Sequence, residues 1–94
     1  MRTIERSTTF KRDYKRVKST PQYKADIDVA IEAILFLLLN DQTLPIPARD
    51  HKLTGDWLGY RDCHIKPDLV LIYARPDPAT LRLVRLGSHS ELFG

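Results

Sequence analysis

The run Tyr60-Arg61-Asp62-Cys63-His64-Ile65-Lys66-Pro67-Asp68-Leu69-Val70-Leu71-Ile72-Tyr73 decides the fold. Its first half alternates. Tyr60, Asp62 and His64 fall on one side and Arg61, Cys63 and Ile65 on the other, the two-residue period of an extended strand. Lys66-Pro67-Asp68 then reads as a tight turn. Leu69 to Tyr73 is apolar throughout, which fits a central strand covered on both faces. A second turn at Pro76-Asp77-Pro78 leads into a third strand, Leu81 to Leu86. Consecutive strands joined by short turns form an antiparallel meander.

Upstream the period becomes helical. Arg2 to Arg6 predicts a short first strand anchored by Ile4. Ser7, Thr8 or Thr9 caps a helix that runs to about Lys18, with Phe10, Tyr14 and Val17 as its core stripe. Thr20-Pro21 starts a second helix. It carries Ile27, Ala30, Ile31, Ile34, Leu35 and Leu38 inward and ends near Asn40-Asp41. The apolar stripes of both helices need a partner, so they cover one face of the sheet and leave the other face, or one end of it, open. Residues 1–94 make one α+β domain without linker or repeat.

Composition narrows the function classes. The hydrophobic fraction is 43% and the charged fraction 29%, as in ordinary globular proteins. Cys63 is the only cysteine, so no internal disulfide can form, and it reads as a buried strand residue. Histidine and cysteine are too few and too irregularly spaced for a structural zinc site. The run Ala33 to Leu39 is far short of the roughly 18 apolar residues of a membrane span, and the first residues show no signal-peptide core. A cytoplasmic protein with no membrane contact is expected.

The net charge of +3 is unevenly distributed. Through Lys24 there are eight basic residues against Glu5 and Asp13, while Ala25 to Trp57 holds six acidic residues against Arg49 and Lys52. Lys11, Arg12, Lys15, Arg16 and Lys18, with Lys24 assisting, are expected to form a phosphate-tracking face for nucleic acid. The plain alternative is a solvated helix face.

Three histidines, His51, His64 and His89, all lie in the second half of the chain. Histidine is the side chain that exchanges protons most readily near neutral pH. Asp62 shares a strand face with His64, and Asp68 lies in the next turn. His89 follows the last strand, and His51 comes from the loop before the first strand of the meander. One cleft edge can thus collect imidazoles, carboxylates that orient them, and Arg85 as a cation for a phosphate. No nucleophile motif and no glycine-rich phosphate loop is present. The chemistry that needs only acid, base and cation is transesterification of RNA, in which the substrate's own 2′-hydroxyl attacks the adjacent phosphorus. No metal or other cofactor is required. Trp57 and Tyr60 read as core or loop anchors.

The stretch from Asp50 to Tyr73 resembles the central signature of the YafQ-type toxins of the RelE/ParE superfamily, from bacterial type II toxin–antitoxin systems. Arg85-Leu86-Gly87-Ser88-His89-Ser90-Glu91-Leu92-Phe93-Gly94 resembles their C-terminal signature. The resemblance spans essentially the whole chain. It implies a RelE-like α+β fold, with two N-terminal helices packed on a twisted, mainly antiparallel sheet. It implies a ribosome-dependent endoribonuclease that cuts messenger RNA in the A site and stops translation. The family's catalytic set falls on His51, His64, Asp68 and His89, with Asp62 and Phe93 in support. His89 would be the general acid, His51 or His64 the base or a stabiliser of the phosphorane, and Phe93 a stacking partner for a base. The implied partners are a cognate antitoxin with an acidic helical neutralising segment, the ribosome, messenger RNA, and operator DNA bound through the antitoxin.

A second function from a different class is a non-catalytic module that binds an antitoxin and helps repress its own operon. Superfamily members that poison DNA gyrase lack the histidine set, so the three histidines speak against that variant.

Overall fold

The computed structural model describes residues 2–94. Five strands, β1 (Thr3–Arg6), β2 (His51–Lys52), β3 (Arg61–Lys66), β4 (Leu69–Asp77) and β5 (Thr80–Gly87), form one sheet in the order β1-β5-β4-β3-β2. The meander of β3, β4 and β5 is antiparallel as predicted, β2 adds to β3 antiparallel, and β1 joins β5 in parallel. The helices are α1 (Thr8–Lys18), α2 (Pro21–Lys24), α3 (Ile27–Leu39) and α4 (His89–Phe93). No helix among the described residues is long and apolar enough to cross a membrane.

β4 is the spine. Leu69 through Ala74 are all buried, which is why this strand reads as an unbroken apolar run. On one face Leu69, Leu71 and Tyr73 join Cys63, Leu81, Leu83 and Leu86 against Phe10, Val17, Ile27, Ile31, Ile34 and Leu38 of the helices. On the other face Val70 and Ile72 are covered only by Leu92 and by partly buried Leu53, Trp57, Tyr60, Val84 and Phe93. That thinner layer is the face left open to chemistry.

Three local differences from the sequence expectation have physical causes. The helix predicted from Pro21 to Asn40 is two helices. α2 ends after one turn, and Asp26 leaves helical geometry at φ −134°, its carboxylate drawn to Lys66 of β3. The turn expected at Pro76-Asp77-Pro78 sits one step later, because Asp77 still pairs with Thr80 and its carboxylate accepts the Ala79 amide at 2.8 Å. The inner stripe of α1 includes Asp13, only 3% exposed, while Tyr14 is half-buried.

The burial of Asp13 follows from the sheet edge. β1 stops at Arg6, yet β5 continues past Leu83 and exposes backbone groups that need partners. α1 supplies them with side chains. Ser7, its N-cap, donates its hydroxyl to the Val84 carbonyl at 2.8 Å and accepts the Phe10 amide at 2.9 Å. Asp13 accepts the Leu86 amide at 3.0 Å, and Arg16 donates to the Leu86 carbonyl at 3.1 Å. Arg85 and Arg16 both ion-pair with Asp13, at 2.7 and 2.9 Å. Burial pushes the Asp13 carboxyl up, but the bonds from Arg85, Leu86 and Arg16 outweigh it and hold it below the usual carboxylate range.

Candidate active site

The open face carries a small pocket of about 200 Å³ lined by His51, Leu53, Thr54, Trp57, Asp62, His89 and Phe93. Three separate elements build it. β2 is only two residues long, but its register places His51 opposite Asp62 of β3. The 3-10 turn Gly55–Trp57 brings the indole over the same face. α4 then returns His89 and Phe93 from the far end of β5, with Leu92 buried beneath them.

α4 holds its place by a capping box. Ser88 accepts the Glu91 amide at 3.2 Å, and the Glu91 carboxylate accepts the Ser88 amide at 2.8 Å. Arg16 of α1 lies 3.5 Å from the other Glu91 oxygen. A Cβ on Gly87 would come within 3.1 Å of both Arg16 and Glu91, so glycine permits this close approach. The His89 and Phe93 rings, one helical turn apart, lie 4.8 Å from centroid to centroid. Phe93 also meets Trp57 edge-on at 6.4 Å, so the aromatic wall is continuous.

The buried charge of the site is Asp62, 3% exposed. Burial pushes its carboxyl above the usual range, and positive charge on His51, His64 and His89 opposes that shift. His51 Nδ1 lies 3.1 Å from Asp62 Oδ1, but the same nitrogen is 2.7 Å from the Arg49 carbonyl and donates there. Asp62 Oδ1 is left buried without a hydrogen-bond donor. Because a carbonyl only accepts, the bond to Arg49 puts the hydrogen on His51 Nδ1 and leaves Nε2 as the ring's available acceptor. His64 Nδ1, 3.2 Å from the Pro67 carbonyl, is fixed in the same sense.

The structure does not gather every expected residue here. His64 shares the Asp62 face of β3 and acts on Asp62 through charge, but it does not line the pocket. Asp68, in the turn after β3, accepts a bond from Gln22 of α2 at 2.8 Å, and its charge raises Tyr23, whose hydroxyl burial also disfavours ionising. Arg85, expected as a phosphate ligand, is bound to Asp13 along the β5 edge and does not line the pocket. Of the basic residues, Arg16 is committed to Asp13, Leu86 and Glu91, and Lys18 is paired with Asp28 at 2.8 Å. Lys11, Arg12, Lys15 and Lys24 are exposed and have no acidic partner within ion-pair distance among the described residues.

Sequence reasoning passed over Trp57 and Thr54 as pocket walls, and Ser88 and Glu91 as the frame of α4. The frame had a signal, since Ser88-His89-Ser90-Glu91 is the spacing of a capping box. Thr54 and Trp57 stand in a turn whose neighbours only the tertiary fold determines. Among the described residues no cluster of three or more histidine, cysteine or carboxylate side chains is arranged to hold a metal ion.

The family model described as "Bacterial toxin of type II toxin-antitoxin system, YafQ" matches residues 2–94. The mRNA interferase toxin YafQ of Escherichia coli K12 is 42% identical over 95 residues, covering 99% of this chain and 97% of that protein. The E. coli DinJ–YafQ complex contains a chain that superposes with a TM-score of 0.82 at 38% identity, with all of both chains covered. A metal-bound toxin from Helicobacter pylori superposes with a TM-score of 0.81 at 42% identity, covering 99% of this chain and all of that one.

Proposed function

The chain belongs to the YafQ family of bacterial type II toxins, and from that premise we propose that it cuts messenger RNA in the ribosomal A site by acid–base transesterification, without a metal ion. It is an mRNA interferase whose partner is an antitoxin. The observation that carries the catalytic reading is the convergence of His51, Asp62 and His89 on one aromatic-walled pocket. His51 Nε2 takes the proton from the 2′-hydroxyl, whose oxygen attacks the neighbouring phosphorus. His89 gives a proton to the departing 5′-oxygen. The buried Asp62 carboxylate favours the imidazolium forms that arise as charge moves. His64 adds positive charge near the phosphorane, and Phe93 with Trp57 stacks on a base. Asp68, bonded to α2, fixes the β3–β4 turn, whose Pro67 carbonyl holds the His64 ring. All of this takes place in the cytoplasm.

The products test the reaction. Attack by the 2′-hydroxyl leaves a 5′-hydroxyl on one fragment and a 2′,3′-cyclic phosphate or 3′-phosphate on the other. End-group mapping of cut messenger should find these, and a chelator should slow cutting no more than it impairs the ribosomes themselves. A 5′-phosphate product, or activity restored only by adding a metal ion, would point to a metal-activated water instead.

The exposed cations Lys11, Arg12, Lys15 and Lys24 contact ribosomal RNA in this reading. Replacing three of them with glutamine should lower ribosome affinity and reduce the slope of log K against log salt by roughly two to three, since each lost phosphate contact removes about 0.7–0.9 of slope. Folding stability should stay within about 0.5 kcal/mol. An unchanged salt slope in a sedimentation assay would mark these residues as a solvated face.

A groove of about 510 Å³ between α1 and α3 suits the antitoxin's neutralising segment. Phe10, Ile31, Leu35 and Leu83 form its apolar floor, and Lys11, Lys15 and Lys18 stand on its rim. An amphipathic helix with an acidic outer edge matches both properties. The antitoxin in turn carries the complex to operator DNA.

A further inference from the structure

Beside the reaction pocket lies a second hollow, of about 420 Å³, which the acid–base reading does not use. We propose that this hollow, bounded by Lys52, Leu53, Leu58, Tyr60 and Arg75, is a nucleotide subsite that holds the messenger residue next to the scissile phosphate. The proposal rests on the nuclease reading and extends it.

Size gives the first argument. The reaction pocket, at about 200 Å³, falls below the roughly 300–1,000 Å³ of sites that enclose a small ligand. It can take the reacting linkage but not the nucleotides on both sides of it, so the strand must continue over the adjoining surface. Leu53 lines both hollows. Tyr60 of the second meets Trp57 of the first edge-on, with centroids 5.5 Å apart and planes at 89°. A strand leaving the reaction pocket past Leu53 therefore enters this hollow.

Surface chemistry gives the second. Leu58 is 75% exposed, a large apolar side chain with no protein cover. Gly59, at φ +94°, makes the turn that presents Leu58 and Tyr60 together, a conformation costly for any other residue. Leu58, Tyr60 and Ala74 thus offer an apolar and aromatic surface to a base. Lys52 is exposed and has no acidic partner within ion-pair distance among the described residues. Arg75 is only loosely paired, 3.9 Å from Asp41. Arg61 is the committed member of the wall, held by Asp50 at 3.2 Å and Tyr73 at 3.3 Å. A stacking surface flanked by one unpaired lysine and one loosely paired arginine has the general form of a single-strand binding site.

The test uses ribosomes programmed with a messenger whose scissile nucleotide carries a 2′-O-methyl group, which blocks cutting. 2-Aminopurine is placed at the neighbouring position. Binding of the unaltered toxin should change its fluorescence, and the K52A/L58S double variant should lose that change. Both substitutions lie on the surface, and far-ultraviolet circular dichroism checks that the variant is folded. On cleavable messenger the double variant should raise KM about fivefold or more, with a much smaller change in kcat. A variant that keeps the fluorescence change, or cuts with unaltered KM, overturns the subsite while leaving the nuclease reading intact. An unaltered toxin that cuts no messenger at all overturns both.

Discussion

Replacing His89 with alanine should lower messenger cleavage by about two to four orders of magnitude, the usual contribution of a positioned general acid. The fold should survive. His89 is exposed, and its backbone is held by Ser88 and Glu91 on either side, so truncation removes the imidazole without opening the core. The loss should fall on kcat, because the proton reaches the 5′-oxygen only as the bond breaks. A messenger with a leaving group that needs no proton, such as a 5′-phosphorothiolate, should recover much of the rate. A variant that cuts at the normal rate, or is not rescued by the better leaving group, would remove His89 from the acid's role. The same variant should still bind the antitoxin, which separates lost chemistry from lost structure.

Asp13→Ala should produce the largest loss of stability from a single polar substitution. Its carboxylate is buried and accepts from the Leu86 amide and from both Arg85 and Arg16. Removing it leaves the buried Leu86 N–H without its acceptor, a change that typically costs about 1–3 kcal/mol, while the partly exposed Arg85 and Arg16 are freed to solvent. For a domain of this size that is a fall in Tm of at least about 4 °C. Asp13→Asn keeps an acceptor for Leu86 and should lose less. The pH dependence has a definite sign. The native carboxyl titrates below its unfolded value, so its stabilisation is fully present above the unfolded pKa near 3.8 and disappears as pH falls through the lower native value. The wild type should therefore lose this share of its stability on acidification below about pH 4, and Asp13→Ala should show a flatter curve there. A thermal scan with less than about 1 kcal/mol between the two proteins at pH 7 would mean that water replaces the carboxylate.

Sequence patterns are most legible where one physical rule acts alone. The alternation of residues 60–65, the apolar run of β4 and the Ser7 cap each answer to a single local preference, and each stands in the structure as predicted. β1 depended on a partner 77 positions away, and its parallel pairing with β5 leaves no local trace. β2 is too short to show any period, so His51 looked like a loop residue. Asp13 was hidden by a sound default, that carboxylates face water. The default fails because an unpaired strand edge needed its oxygens more than the solvent did. The position of Arg85 follows from that of Asp13. Once the carboxylate is buried, the nearest cation must neutralise it, and Arg85 is drawn from the phosphate role its place in the chain suggested. That His64 shares a face with Asp62 could be inferred from strand alternation, whereas Asp68 sits in a turn and its partner, Gln22, comes from a helix placed there by tertiary packing.

The shortness of β2 sets how firmly each half of the proposed catalytic pair is held. His89 stands on a helix whose cap is tied through Glu91 and Arg16 to α1 and β5, elements joined to the buried core. His51 stands on an edge strand of two residues with solvent on its outer side. Such an edge can peel away without unfolding β4, because little apolar surface is exposed when it does. The proposed proton acceptor and proton donor therefore belong to regions of unequal local stability. A ligand that clamps β2 against β3 raises the fraction of molecules with both in register, and one that prises β2 loose silences the enzyme without touching His89.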